Sequence, residues 1–164
     1  MERWGARDLS YAGIIAALYA VLTIVLAPIS YGVYQVRIAE ALTVLPFVIP
    51  IAPYGLFAGC LVANIYGGNG IQDIIFGSLL TLLAGILTRE TVRIRPRQLA
   101  VLIAPAPAVF VNAFGVAVYL AEIFRMPYLS VVMMIGVGQL AACYILGLPL
   151  LMLLIARQKP IKVS

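Results

Sequence analysis

The sequence predicts an all-α integral membrane protein, with six transmembrane helices in one compact bundle and both termini cytoplasmic. Of its 164 residues, 64% are hydrophobic and only 10% are charged, and the mean hydropathy is +1.10. Soluble domains carry about a quarter charged residues, so this composition is typical of a membrane protein. The apolar residues form six runs, and the basic residues cluster between some of them, so the net charge of +5 indicates topology rather than nucleic-acid binding. No linker or internal repeat divides residues 1–164, which we expect to form a single domain.

The six predicted spans are residues 9–27, 36–49, 54–66, 71–87, 99–124 and 128–154. The first is long enough to cross a hydrocarbon core of about 30 Å and too long for the apolar region of a signal peptide. Pro50 and Pro53 end the second span, and a glycine-rich turn at residues 67–70 follows the third. Pro105 and Pro107 should bend the first half of the fifth span, because proline removes a helical hydrogen bond.

The basic residues predict the orientation of these spans. An even number of spans puts both termini on the same side of the membrane. That side collects nine of the eleven lysines and arginines: Arg3, Arg7, Arg89, Arg93, Arg95, Arg97, Arg157, Lys159 and Lys162. Since basic residues are enriched in cytoplasmic loops, we expect cytoplasmic termini and a multi-pass protein of the plasma membrane.

The first span carries a stripe of small residues, Ala12, Ala16 and Ala20, with Gly13 and Ala17 alongside. Small residues at four-residue spacing let another helix approach closely. The stripe is therefore either a docking surface for a partner subunit or an internal contact of the bundle, and the pattern alone favours neither.

Residues 31–40 concentrate polar groups between two apolar runs. Arg37 and Glu40 are three residues apart, so a helix beginning near Val36 would place them on one face as an ion pair. Charges beside a membrane span usually mark the path of a substrate or an ion. The alternative is a solvated loop followed by an ion pair at a helix end.

With this orientation, polar residues gather at the outward ends of the spans, and two amides lie near mid-membrane. The candidate substrate-binding residues are Tyr34, Gln35, Arg37, Glu40, Asn69, Gln72, Asp73, Asn112, Glu122 and Gln139. Amides and tyrosines suit a flat heteroaromatic ring, and carboxylates suit an amine or an amidine-like edge. Asp73 equally fits a role at a helix N-terminus, and Asn112 and Gln139 equally fit hydrogen bonds between helices.

Enzyme activity is not predicted. The chain has no histidine, which removes the commonest metal ligand and general base, so neither catalytic nor metal-binding residues are predicted. The turn at residues 67–70 lacks the Lys-Ser/Thr of a phosphate-binding loop. Cys60 and Cys143 lie within apolar runs, where a small buried side chain is favoured over a disulfide. A helical accessory subunit without a ligand would leave the outward carboxylates unexplained.

Three segments that hold these polar residues carry a family resemblance: Gln35–Pro46 (QVRIAEALTVLP), Pro53–Gly68 (PYGLFAGCLVANIYGG) and Asp73–Ala84 (DIIFGSLLTLLA). They resemble the signature of the queuosine-precursor (QueT-type) substrate-binding components, or S components, of energy-coupling-factor transporters. The match extends over roughly a third of the chain, and the motifs are specific for the family rather than for one ligand.

The resemblance implies a six-helix binding protein whose outward pocket, partly covered by the first and third loops, takes a queuosine precursor such as aminomethyl-deazaguanine or queuine. It implies docking, through a motif like the Ala12/Ala16/Ala20 stripe, to a membrane scaffold (T) subunit and two cytoplasmic ATPases. The ATPases would use ATP, and this chain would need no cofactor. The alternatives are an S component for another heteroaromatic, vitamin-like ligand and a membrane subunit without a transport role.

Overall fold

The computed structural model describes residues 4–31 and 36–157, and this part of the chain is helical, without strands. Its main helices are α1 (Ala6–Val25), α2 (Ile38–Phe47), α3 (Ala52–Gly67), α4 (Asp73–Arg93), α5 (Arg97–Ile123) and α6 (Tyr128–Arg157). One short helical turn, Ala27–Ser30, follows α1. The all-α fold class is therefore confirmed for the described residues. Regular helix is interrupted at Ala104 and Pro105, where the sequence predicts a bend in α5.

Four of these helices, α1, α4, α5 and α6, are long and apolar enough to cross a membrane. This agrees with the predicted class of membrane protein. Helices α2 and α3 have only 10 and 16 residues. Six crossings therefore stay a prediction.

Helix α2 lies at the centre of the bundle and packs against α1, α3, α4 and α6. It is wound as a 3₁₀ helix, whose rise of about 2 Å per residue gives a length of roughly 20 Å. Only Ile38 and Leu42 of its ten residues are partly exposed, and the other eight are buried. A polar side chain on this helix must therefore find its partners inside the protein.

The small-residue stripe of α1 packs closely against the backbone of α3. A Cβ atom added at Gly55 would lie 2.7 Å from the carbonyl oxygen of Ala12, and one at Gly59 would lie 2.6 Å from that of Ala16. Both distances are far shorter than real Cβ contacts, so only glycine fits at these two positions. The close approach that the stripe predicts is thus made to α3, while docking of this face to a scaffold subunit stays a prediction.

Two segments of π-helix interrupt the regular winding, at Asp73–Gly77 in α4 and at Ala141–Gly147 in α6. Single π-helical turns are frequent at functional sites, because they redirect side chains within a helix. Here they carry Asp73 and Cys143, whose side chains both reach the polar interior described below. Cys143 and Cys60 are buried and free, as expected for small interior side chains.

Candidate functional site

Two groups of polar side chains lie inside the otherwise apolar bundle, around the start of α2. The first, here called the Asp73 cluster, consists of Arg37, Asn64, Asn69, Asp73 and Tyr119. The second, here called the Glu40 cluster, consists of Tyr19, Glu40, Thr43, Asn112, Gln139 and Cys143. Tyr119 and Asn112 are seven residues apart on α5. The Glu40 cluster therefore lies about 10 Å further than the Asp73 cluster from the C-terminal end of α5.

The Asp73 carboxylate is completely buried, and three side chains hydrogen-bond to it. Arg37 Nη2 lies 3.4 Å from Oδ2, Asn69 Nδ2 donates to the same oxygen at 3.1 Å, and the Tyr119 hydroxyl donates to Oδ1 at 2.7 Å. These donors come from the segment before α2, the α3–α4 loop and the end of α5. A buried charge is tolerated only when it is paired and hydrogen-bonded, so the Asp73 carboxylate requires these three donors. Its contacts with them hold the three segments together.

Arg37 is 4% exposed, and its guanidinium makes further contacts besides the one to Asp73. Nε donates to the carbonyl oxygen of Ser30 at 3.3 Å, and Cζ lies 5.6 Å from the centre of the Tyr31 ring, a cation–π distance. Ser30 and Tyr31 follow α1, so Arg37 ties the end of α1 to the start of α4. Its delocalised charge suits such a partly desolvated position better than a lysine would.

Asn64 of α3 binds the backbone of Asp73 rather than its carboxylate. Its Nδ2 donates to the backbone carbonyl of Asp73 at 2.8 Å. Since a carbonyl can only accept, the amide nitrogen must face it, and Oδ1 points elsewhere. That oxygen is buried and has no hydrogen-bond partner.

Glu40, on the central helix, is 1% exposed and holds its carboxylate between two donors. The Tyr19 hydroxyl of α1 donates to Oε1, and Asn112 Nδ2 of α5 donates to Oε2 at 3.1 Å. Thr43 Oγ1 donates to the Glu40 carbonyl at 2.6 Å. Asn112 Oδ1, like that of Asn64, is buried without a partner, so each cluster contains one unused acceptor.

Gln139 of α6 reaches the Glu40 cluster through Cys143. The Cys143 thiol lies 3.6 Å from Gln139 Oε1 and 3.6 Å from the Glu40 carbonyl oxygen. Gln139 is 2% exposed, so its amide belongs to the polar interior rather than to a lipid-facing surface.

The structure brings together six of the ten predicted substrate-binding residues: Arg37, Glu40, Asn69, Asp73, Asn112 and Gln139. Gln72 and Glu122 are exposed and lie outside both clusters. Gln72 is adjacent to Asp73 in the chain and therefore points to another side of α4, and Glu122 lies in the last turn of α5. Tyr34 and Gln35 lie outside the described residues. Whether any of the ten binds a substrate stays a prediction.

The predicted pairing of Arg37 with Glu40 is wrong. Arg37 pairs with Asp73, and Glu40 is held by neutral donors. The physical reason is local: Arg37 precedes α2 in an extended conformation, with φ −87° and ψ 101°. The three-residue spacing that aligns side chains within a helix therefore does not apply to this residue.

Two tyrosines of the clusters, Tyr19 and Tyr119, are absent from the sequence-based selection. Each lies in an apolar stretch, and its hydroxyl donates to a buried carboxylate. A buried phenol usually finds a hydrogen-bond partner, so a tyrosine within a predicted membrane span is the signal that could have identified them.

The arrangement can accept hydrogen bonds from a polar guest. Its acceptors are the Glu40 carboxylate and the free amide oxygens of Asn64 and Asn112, all within an apolar surrounding that strengthens such bonds. A carboxylate can accept from two donors at once, as Glu40 already does from the Tyr19 O–H and the Asn112 N–H. In residues 4–31 and 36–157, no group of three or more carboxylate or thiol side chains is arranged to hold a metal ion.

Comparison with known proteins places this site in a family context. A model of the QueT transporter family matches residues 9–156, a range that contains every residue of both clusters. Searches of curated proteins and of solved structures returned no match. The family match spans most of the chain and agrees with the resemblance carried by its three sequence motifs. This chain therefore belongs to the QueT transporter family.

Proposed function

We propose that this protein is the substrate-binding S component of an energy-coupling-factor importer and that it captures a queuosine precursor for ATP-driven uptake. Family membership and four helices that are long and apolar enough to cross a membrane support a membrane transporter. The observation that carries the ligand assignment is the Glu40 carboxylate, buried on the central helix beside the unpartnered oxygen of Asn112.

A deazaguanine offers the hydrogen-bonding edge that such a site can take. Its ring N–H and exocyclic amino group are neighbouring donors, and a carboxylate can accept from both with charge-assisted bonds. Burying a carboxylate costs several kcal/mol. Tyr19 and Asn112 offset this cost with neutral donors alone, and the N–H groups of a ligand would add to them. Glu40 would therefore read the donor edge, while Asn112 and Gln139 would read the remaining ring edges from the same depth.

The direction of uptake follows from the distribution of charge. In the proposed topology six spans cross the plasma membrane and both termini are cytoplasmic. The described basic residues Arg7, Arg89, Arg93 and Arg157 lie at helix ends that are remote from Asp73, namely the start of α1, the last turns of α4 and the end of α6. By the positive-inside rule, the Asp73 cluster then faces outward, and the ligand reaches Glu40 from the outside.

Two partners complete the proposal: a membrane scaffold subunit and a pair of cytoplasmic ATPases that supply the energy. This chain itself would use no cofactor. Helix α1 is the proposed docking element, through Ala12, Ala16 and Ala20. Ala12 and Ala16 are half-buried against α3, Ala20 is buried, and Gly13 and Ala17 beside them are exposed. Because all of these side chains are small, a scaffold helix could approach the exposed side of α1 closely.

Docking can be tested by placing a tryptophan on α1. Ala16→Trp should reduce co-purification of the scaffold and ATPase subunits and reduce uptake, while ligand affinity of the isolated subunit persists. Leu18→Trp, on an exposed position of the same helix, is the matched control. Normal assembly of both variants would move the docking surface to another helix, and a misfolded Ala16→Trp protein would show that the stripe serves the bundle alone.

The ligand class can be tested by titration calorimetry on the purified protein in the absence of ATP. We expect saturable binding of aminomethyl-deazaguanine or queuine and no binding of a pyrimidine of similar size. Glu40→Gln should abolish or strongly weaken this binding. Glu90→Gln changes a residue at the end of α4 that is opposite Asp73, and this variant should bind normally. If every deazaguanine fails while another vitamin-like heteroaromatic binds, the substrate assignment is wrong but the S-component assignment survives.

A further inference from the structure

A basic loop lies at the end of the bundle opposite the Asp73 cluster and separates two cavities. Arg95 lies between α4 and α5, and Arg97 begins α5. The first cavity, of about 310 Å³, is lined by Phe47, Val48, Val92, Arg95 and Arg97. The second, a groove of about 590 Å³, also begins at Arg97 and runs between α5 and α6. The Arg97 side chain therefore lies at the junction of the cavity and the groove.

The groove is apolar beyond its mouth. Past Arg97 and Gln98, its walls are Val101, Leu102, Met152, Ile155 and Ala156. Leu102 and Met152 are 55% and 58% exposed, although both belong to helices long enough to cross the membrane. The groove therefore opens towards the hydrocarbon region, with a cation at one end.

The two arginines of this loop, Arg95 in the first cavity and Arg97 at the junction with the groove, are not neutralised within the described chain. Arg93, nearby, pairs with Glu90. Arg95 and Arg97 are exposed, and within residues 4–31 and 36–157 neither forms a salt bridge. A cavity lined by two uncompensated guanidinium groups, which meets an apolar groove at Arg97, is complementary to an anionic head with a hydrocarbon tail.

We propose that this groove is a binding site for an anionic phospholipid of the surrounding leaflet. The phosphate lies between Arg95 and Arg97, whose planar groups can each bind it with two hydrogen bonds. An acyl chain follows Val101, Leu102 and Met152 along α5 and α6. Both volumes lie within the range of about 300–1,000 Å³ that is typical of small-molecule sites. Basic pockets between transmembrane helices recurrently bind anionic lipid heads in this way.

The head-group contact is tested by native mass spectrometry of the full chain, released from bilayers that contain equal amounts of phosphatidylglycerol and phosphatidylcholine with the same acyl chains. The wild-type protein should retain phosphatidylglycerol preferentially. Arg95→Gln with Arg97→Gln should lower that preference about fivefold for each arginine, which corresponds to about 1 kcal/mol each. Arg7→Gln removes a charge from α1, which lines neither cavity, and should leave the preference unchanged. Equal retention of the two lipids by wild type would overturn the proposal.

The groove itself is tested by filling it. Leu102→Trp should reduce the retention of phosphatidylglycerol without unfolding the protein, because the side chain is exposed. Leu129→Trp, at a position that is also exposed but lies at the far end of α6, is the control and should retain lipid normally. Excess glycerol phosphate should not displace the lipid, and displacement would identify a site for free phosphate instead. A dimer that Leu102→Trp dissociates would make a second copy the occupant and would also overturn the proposal.

Discussion

Asp73 Oδ2 lies 3.4 Å from Arg37 Nη2, and this contact joins the start of α4 to the segment before α2, 36 residues away in the chain. Both side chains are almost completely buried. Glu40 lies three residues further along on α2, deeper in the bundle. Under the proposed function, a ligand that enters from this end meets the ion pair before it reaches Glu40.

Removing one partner of this pair should destabilise the fold severely. Arg37→Met leaves the Asp73 carboxylate buried without its cation, which typically costs about 3–5 kcal/mol. Asp73→Asn combined with Arg37→Met removes both charges and should recover much of the loss. Thermal unfolding in detergent, followed by circular dichroism, measures both effects. The same double-mutant cycle at Glu90 and Arg93, an exposed pair, should show little coupling, because solvent screens it. A coupling energy near zero for the buried pair would contradict the structure.

Glu40→Gln should separate ligand recognition from folding. Glutamine keeps the size of the side chain but removes the charge and replaces one acceptor with a donor. Hydrogen bonds to charged groups contribute about 1.5–3 kcal/mol, so the affinity for a deazaguanine should fall at least tenfold. Calorimetry gives the affinity, and a preserved circular-dichroism spectrum verifies the fold. Unchanged affinity in a well-folded protein would make Glu40 a purely structural residue.

Tyr19→Phe should weaken binding through Glu40 without removing a ligand contact. The hydroxyl of Tyr19 positions Oε1 of the carboxylate, and the phenyl ring left behind fills almost the same volume. Loss of one partner of a buried acceptor costs about 1–3 kcal/mol, which we expect to divide between stability and affinity. Tyr54→Phe, on an exposed tyrosine, should change neither quantity. If Tyr19→Phe matches wild type in both measurements, the hydrogen bond to Glu40 is not formed in the membrane.

Gly59→Ala should push α1 away from α3, because its new Cβ would lie 2.6 Å from the carbonyl oxygen of Ala16. We expect a clear fall in the midpoint of thermal unfolding. Since α1 carries Tyr19, we also expect a weaker hydrogen bond from Tyr19 to Glu40. Gly13→Ala is the matched substitution, as its Cβ would meet nothing within 4 Å. It should be neutral or slightly stabilising, since alanine favours helix more than glycine does. Equal effects of the two substitutions would contradict the α1–α3 contact.

Much of the candidate site could be predicted from sequence because polar residues in a membrane span are rare. Glu40, Asp73 and Asn112 stand out against long apolar runs whatever the fold. Their partners could not be found in this way. Arg37 pairs with Asp73 rather than with its near neighbour Glu40, and Tyr19 supplies the donor from another helix. Such choices depend on which helices become neighbours, and no local pattern contains that information.

The sequence by itself determined the helical membrane class, the approximate places of the helices and the concentration of positive charge at one end. Hydropathy and charge are properties of stretches of neighbouring residues, so they can be read from the sequence without knowledge of the tertiary contacts. Only the tertiary structure decided that α2 is the buried centre, that the alanine stripe packs on Gly55 and Gly59, and that two carboxylates occupy separate clusters. These are contacts between residues distant in the chain, and packing and the desolvation of charge select them together.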